Sequence, residues 1–372
     1  MFSDNKKFKW ERVVIKVGSA LIAPQRKGVS SRYLLGIAQF IVRCRAAGVQ
    51  VVLVSSGSVA AGSHFFPKVE DNPSIAIKKA MAAAGQTEMI GVWNNLFDFP
   101  TAQILMTHGD LRDRERYVSV KQTIVNLLDN GILPIINEND TVTTDKLRVG
   151  DNDNLSAMVA AAADADVLII CSDVDGLYDK NPRTHADANL VRWVSKIDAK
   201  IYAMAGTDAG ELGTGGMRTK VQAAEKATSH GIDTFIINGF SETSFNQLLD
   251  GVNPGTHFQS FELPMKEHLH WMTYTSDAQG EVVVKNDVEF DLSLQEDLLT
   301  SISIVDVKGE FTAGDTILIR KQNGTKLAKA KANFSSCLLS FIANQSDQNV
   351  AREFNESTGS IISPQHVAML SN

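Results

Sequence analysis

The chain has 372 residues, 44% of them hydrophobic and 21% charged, with a formal net charge of −7. That length points to two domains, the ordinary composition excludes a disordered or fibrous chain, and the acidity argues against a general binder of nucleic-acid backbones. The longest alanine-rich apolar run, 155–163, stops at Asp164 and Asp166, short of the roughly 18 apolar residues that a membrane helix needs.

Residues 1–9 are polar and charged, without the apolar segment of a secretory signal. Cys44, Cys171 and Cys337 form neither a metal-spaced pair nor an even disulfide set. Both features predict a cytoplasmic location. Short runs rich in Val, Ile and Leu at 13–17, 49–54, 102–106, 132–136, 167–171 and 234–237 read as buried strands. Helical patterns lie between them at 31–47, 74–97, 115–129, 155–163 and 219–230. The alternation predicts an α/β fold, a mainly parallel sheet sandwiched by helices, with ligands held beyond the carboxyl ends of the strands. Past 253–255 the pattern changes to short β-like runs at 281–285, 302–307, 316–319 and 327–332. The expected division is a domain over 1–258, a linker over 259–279 and a small, mostly β domain over 280–372.

Polar clusters follow four of the predicted strands: Gly18-Ser19, residues 55–58, residues 137–140, and Ser172-Asp173. A fifth cluster, Asp151, Asn152, Asp153 and Asn154, runs straight into the alanine-rich helix. Side chains of this type cap free backbone N–H groups, so a helix cap is the plain alternative to a ligand loop. Two glycine-rich segments, 55–58 and 213–220, let backbone N–H groups approach a phosphate, and each leads into a helix. There is no Gly-x-x-x-x-Gly-Lys-Ser/Thr loop and no Gly-x-Gly-x-x-Gly after the first strand, which excludes the P-loop and dinucleotide-binding motifs. Lys16 sits inside an apolar strand, and Lys220 lies one turn into the helix after the second glycine segment. A lysine among Val and Ile calls for an anion, unless its stem snorkels to water.

Segments 14–19, 54–62, 136–140, 149–157, 172–178 and 213–220 resemble, in order, the successive motifs of the amino acid kinase family. The pattern is most like the members that phosphorylate a side-chain carboxylate. The resemblance implies transfer of the γ-phosphoryl group of ATP to the γ-carboxylate of L-glutamate, the step that opens proline biosynthesis. Other acceptors used in the family, such as aspartate, an acylated glutamate, carbamate or a nucleoside monophosphate, are the alternatives. By the same likeness Lys16 and Lys220 flank the moving phosphoryl group, Gly18 and Gly57 add backbone donors, and Asp153 organises the two lysines. Asp140 takes the substrate ammonium, while Ser56, Asn137 and Asn152 serve its carboxylates. Lys16, Ser172, Asp173, Thr214, Gly215, Gly216, Met217, Arg218, Thr219 and Lys220 contact the nucleotide. Mg2+ is expected with ATP, and no protein ligand for it is identified. The resemblance further implies inhibition by proline, hand-over of the acyl phosphate to glutamyl phosphate reductase, and a homo-oligomer, dimer or tetramer.

Residues 307–315 and 333–336 resemble a PUA domain. Such modules bind RNA in other proteins, but residues 280–372 carry 8 Lys and Arg against 12 Asp and Glu, a poor match to a phosphate backbone. Asp175, Tyr178 and Asp179 read as loop structure, and Trp93, Phe97 and Phe99 as packing. The charged run 110–116 reads as a solvated helix start, and the eight scattered histidines show no metal-ligand spacing.

Overall fold

The computed structural model describes residues 10–24, 27–68, 73–143, 152–206, 216–262, 264–290, 299–343 and 360–370. The chain forms two compact units, Met1–Pro264 and Met265–Asn372. In the first, β1 (Arg12–Val17), α1 (Ser19–Ile22), α2 (Leu34–Ala46), β2 (Gln50–Ser55), α3 (Ser58–Gly62) and α4 (Ile75–Asn95) are followed by β3 (Thr101–Met106), α5 (His108–Arg112), α6 (Arg114–Asp129) and β4 (Leu133–Glu138). Then come α7 (Asn152–Ala162), β5 (Val167–Ser172), β6 (Trp193–Val194), α8 (Ala199–Ala205), α9 (Met217–Ser229), β7 (Asp233–Asn238), α10 (Glu242–Leu249) and β8 (Thr256–Phe258).

The eight strands run in the order β3-β4-β2-β1-β5-β7-β8-β6. Every pairing is parallel except β7 with β8. The chain steps outward from β1 to β2 on one side and later returns to β5 on the other, so β1 lies at the switch point where α/β sheets place ligands. Side chains alternate along a strand. Val13, Ile15 and Val17 therefore join Phe40, Trp93 and Phe245 in one buried cluster, while Lys16 is turned to the opposite face. That face is covered by α7, whose residues 152–162 are all buried. Alanine-rich composition lets α7 lie this close to the sheet.

Local chemistry fixes the helix starts. Thr107 and Asp110 make a capping box for α5, and Asp113 accepts from the backbone N–H of Arg116 to start α6. The charged run 110–116 thus builds two successive helix starts. Close contact of α3 and α4 depends on glycine: a Cβ on Gly62 would stand 1.9 Å from the Met81 carbonyl oxygen. Trp93, Phe97 and Phe99 pack as an aromatic row, with ring centroids 6.3 and 4.9 Å apart.

In the second unit, α11 (Glu267–Tyr274) precedes β9 (Gly280–Val284), β10 (Ile304–Gly309), β11 (Thr316–Lys321), β12 (Lys326–Ala332), α12 (Ser336–Ala343) and β13 (Ile362–Met369). The strand order is β10-β9-β11-β12-β13, antiparallel apart from β9 with β11. Val282, Ile317, Ile319, Ala328 and Leu339 lie in its core. The stretch 259–279, expected as a linker, is corrected by α11: Lys329 Nζ donates to the carbonyls of Thr273 and Ser276 at the end of that helix, and so ties it to β12.

Candidate active site

Asp153 sits in the first turn of α7 and faces Lys16 on β1 and Lys220 on α9. Its Oδ1 lies 2.6 Å from Lys16 Nζ and its Oδ2 3.2 Å from Lys220 Nζ. The three residues are 6%, 2% and 8% exposed for Lys16, Asp153 and Lys220. Snorkelling of Lys16 is thereby excluded. Thr219 Oγ1 lies 2.7 Å from Asp153 Oδ2 and 2.9 Å from the Gly216 carbonyl, with one hydroxyl proton to share between them, and Ser156 donates to the Asp153 carbonyl.

Burial alone would raise the Asp153 carboxyl, but the Lys16 and Lys220 ammonium groups and the hydrogen bonds from Lys16 and Thr219 hold it well below the usual carboxylate range. Burial pulls the Lys16 ammonium below its ordinary value; Asp153 opposes this and Lys220 adds to it. Two cations against one carboxylate leave the cluster net positive. Lys220 also lies in the first turn of α9, where the helix dipole disfavours a cation. An anion in front of that turn relieves both.

The second cluster lies at the ends of β2 and β4. Ser58 donates to Asp140 Oδ2 at 2.7 Å. Burial raises the Asp140 carboxyl, with the Ser58 bond acting against it. Asn137 donates from Nδ2 to Gln86 Oε1 at 2.7 Å, and its Oδ1 accepts from the Glu138 N–H at 2.9 Å. Asn152 Oδ1 accepts from the same N–H at 3.3 Å, linking α7 to β4. Among the described residues, Ser56 Oγ and Asp140 Oδ1 are buried without a hydrogen-bond partner in the protein. A donor and a carboxylate oxygen so placed suit the carboxylate and ammonium of an amino acid.

Gly57 has φ +99°, and a Cβ there would lie 2.8 Å from Ile22 Cβ, so only glycine fits the turn from β2 into α3. Gly18 caps α1 with an ordinary φ of −77°. Its Cβ position stands 3.9 Å from Lys16 Nζ, which puts the β1 turn beside the lysine.

A cleft joins the ends of β5 and α9, lined by Ser172, Asp173, Tyr178, Gly216, Met217 and Lys220 among others. Its mixture of apolar and polar lining, with a helix N-terminus and a lysine at one end, fits a nucleotide. Ser172 donates to Asp173 Oδ1 at 3.2 Å, and Arg183 pairs with Asp173 Oδ2 at 2.8 Å. Arg218 stacks on Tyr202, 5.3 Å from the ring centroid. Among the described residues no group of three or more His, Cys, Asp or Glu could hold a metal. Asp153, already engaged by two lysines, is poorly placed to be a ligand.

The structure thus brings Lys16, Asp153, Thr219 and Lys220 into one cluster, and Ser56, Asn137, Asp140 and Asn152 into contact with the strand ends beside it. Thr214 and Gly215 lie outside the described residues, as do Gly150 and Asp151 of the polar turn. Ser58 and Gln86 were not assigned from sequence. Ser58 stood within the second polar cluster, but nothing in the sequence around Gln86 marks it. Tyr178 was expected to be loop structure and also lines the cleft; Asp175 holds it from the loop at 2.9 Å.

The amino acid kinase family profile matches residues 11–238. The chain is 61% identical over 366 residues to glutamate 5-kinase 1 of Pseudoalteromonas translucida, covering 98% of this chain and 99% of that one. It is 52% identical over 346 residues to glutamate 5-kinase of Idiomarina loihiensis, covering 93% of each. Against glutamate 5-kinase of Salinibacter ruber the identity is 43% over 352 residues, 93% of this chain and 94% of that one.

Proposed function

The chain belongs to the amino acid kinase family, and we propose that it transfers the γ-phosphoryl group of ATP to the γ-carboxylate of L-glutamate, giving L-glutamyl 5-phosphate and ADP at the opening step of proline biosynthesis. The observation that carries this reading is the buried Asp153 carboxylate shared by the ammonium groups of Lys16 and Lys220.

A glutamate side chain has an ordinary pKa of about 4.3 and is already an anion at neutral pH, so the reaction needs no general base. An oxygen of that carboxylate forms a bond to the γ-phosphorus. The bond from phosphorus to the β,γ-bridging oxygen breaks, and its electron pair leaves with ADP. No proton moves. The barrier is repulsion between anions and their alignment, which positioned cations lower. Lys16 and Lys220 supply the cations on either side of Asp153. Asp153 sets a carboxylate between them in a buried place and fixes the distance between them. It accepts three contacts and is held ionised, so it is an organiser rather than a base. Mg2+, bound through the phosphate oxygens and water, would neutralise charge on the nucleotide.

Asp140 is the proposed partner of the substrate ammonium. Such a cation would draw its carboxyl back down toward the ordinary range. Ser56, Asn137 and Asn152 are assigned to the carboxylates, and Ser172, Asp173 and the start of α9 to the nucleotide. Proline, which shares the α-carboxylate and α-nitrogen of glutamate, is proposed to compete at the same cluster. The acyl phosphate is a reactive mixed anhydride and suits direct hand-over to glutamyl phosphate reductase. The free cysteines Cys44, Cys171 and Cys337 fit a reducing compartment, in keeping with a cytoplasmic enzyme. We further propose a homo-oligomer, and a PUA-like second unit without a general RNA-binding role.

Coupled measurement of ADP release with glutamate, aspartate and N-acetylglutamate tests the acceptor. Turnover with glutamate is expected; turnover only with another of the three would reject the reading.

A further inference from the structure

Gln86 lies on α4, one residue from the place where that helix touches α3. A Cβ on Gly85 would stand 2.0 Å from the Ser58 carbonyl oxygen, and Ser58 in turn holds Asp140. The amide of Gln86 is therefore beside the proposed substrate cluster. Its orientation is set by the main chain. The Glu138 N–H is a donor only, so Asn137 must present Oδ1 to it at 2.9 Å. Asn137 Nδ2 is then directed at Gln86, whose Oε1 accepts at 2.7 Å. That leaves Gln86 Nε2 as a donor, and it is buried without a hydrogen-bond partner in the protein. An unmatched buried donor is costly.

Three polar atoms of residues at or bonded to the adjacent ends of β2 and β4 have no protein partners: Ser56 Oγ, Asp140 Oδ1 and Gln86 Nε2. Two can donate, and one belongs to a carboxylate. That set is complementary to an amino acid, with its carboxylate oxygens met by donors and its ammonium by an acceptor. We infer that Gln86 is a further substrate-binding residue, donating from Nε2 to a carboxylate oxygen of the amino acid substrate; this rests on the glutamate reading above. Asn137, in consequence, acts partly through Gln86 by locking its amide.

Two substitutions in the full chain separate this role from a purely structural one. Gln86→Glu keeps an oxygen for Asn137 but replaces the donor with a negative charge, whereas Gln86→Met removes both. Substrate binding predicts that the KM for glutamate rises about tenfold to a hundredfold in Gln86→Met, the range for a lost hydrogen bond to a charged group, and further still in Gln86→Glu. The KM for ATP should stay near that of the unaltered protein in both variants, and the thermal midpoint should fall modestly in Gln86→Met, which leaves Asn137 Nδ2 without its acceptor. If Gln86 only supports Asn137, Gln86→Glu should be the milder change, and that order overturns the inference. An unchanged glutamate KM in both variants overturns it as well, as does a joint rise of both KM values with a lowered midpoint. Absence of glutamate turnover by the unaltered chain would instead remove the reading on which it rests.

Discussion

Asp153 Oδ1 and Lys16 Nζ are 2.6 Å apart, joining the first turn of a wholly buried helix to the central strand of the sheet. Burial by itself would neutralise both groups. Each opposes that shift in the other, and Lys220 completes the cluster from a second helix. The arrangement converts an unfavourable buried lysine into a fixed cation facing the switch point of the sheet.

Replacing Asp153 with Asn preserves the shape but leaves two buried ammonium groups without their shared anion. Breaking such a pair costs about 3–5 kcal/mol. Turnover should fall on the order of a hundredfold or more, measured in steady state with glutamate and ATP saturating. The residual rate should decline as pH rises, because Lys16, already lowered by burial, loses the group that opposes that shift. Near-normal turnover would return Asp153 to a structural role.

The same pair gives stability a defined dependence on acid. The folded-state pKa of Asp153 is lowered, so its contribution is fully present above the unfolded value of about 3.9 and is lost as pH falls through the folded value. In that window the unfolded chain binds the extra proton, at about 1.4 kcal/mol per pH unit for one group. Denaturant midpoints taken between about pH 4 and pH 2 should fall less steeply in Asp153→Asn than in the unaltered protein. For Lys16, whose folded value is also lowered, the slope has the same sign in a different window: on the alkaline side stability rises with pH up to its unfolded value of about 10.4.

Thr219 belongs to the glycine-rich nucleotide segment, yet its hydroxyl is bonded to Asp153 and Gly216. Thr219→Val should lower turnover about tenfold and stability by about 1–2 kcal/mol. Thr219→Ser should restore both. A rise in the KM for ATP alone, with turnover unchanged, would assign the hydroxyl to the nucleotide instead.

At Gly57 the chain takes φ +99° in contact with Ile22. Gly57→Ala should lose about 1–3 kcal/mol from backbone strain, with a further loss from the 2.8 Å approach to Ile22 Cβ. Thermal denaturation of Gly57→Ala measures the combined loss; an unchanged midpoint would remove the strain argument.

Proline should raise the apparent KM for glutamate without changing the limiting rate, if it competes at the Ser56 and Asp140 cluster. Initial rates over a grid of both concentrations decide this. Lowered limiting rate with unchanged KM would place proline elsewhere.

The six main strands and five long helices were legible in the sequence because buried parallel strands are short and continuously apolar. The shorter elements were not. Helices such as Glu242–Leu249 and Glu267–Tyr274 span about two turns, too few for a clear period. Strand Ile362–Met369 carries a proline in its sequence, which reads against a strand. Lys16, Asp153 and Lys220 could be named because a charge in an apolar setting stands out and the motifs are collinear. Their mutual contact was implied only by the family resemblance, since it joins residues 67 and more positions apart and no local pattern shows it. Gln86 gave no signal at all: it lies in an ordinary helix, and its position matters only through the fold.

The central claim is that the γ-carboxylate of glutamate attacks the terminal phosphorus of ATP. It is tested most directly with glutamate carrying 18O in that carboxylate, with the acyl phosphate trapped by hydroxylamine at its carbonyl carbon. The released phosphate should carry one 18O atom, in an amount equal to the ADP formed. Phosphate free of 18O, or ADP formed equally well without glutamate, would contradict it.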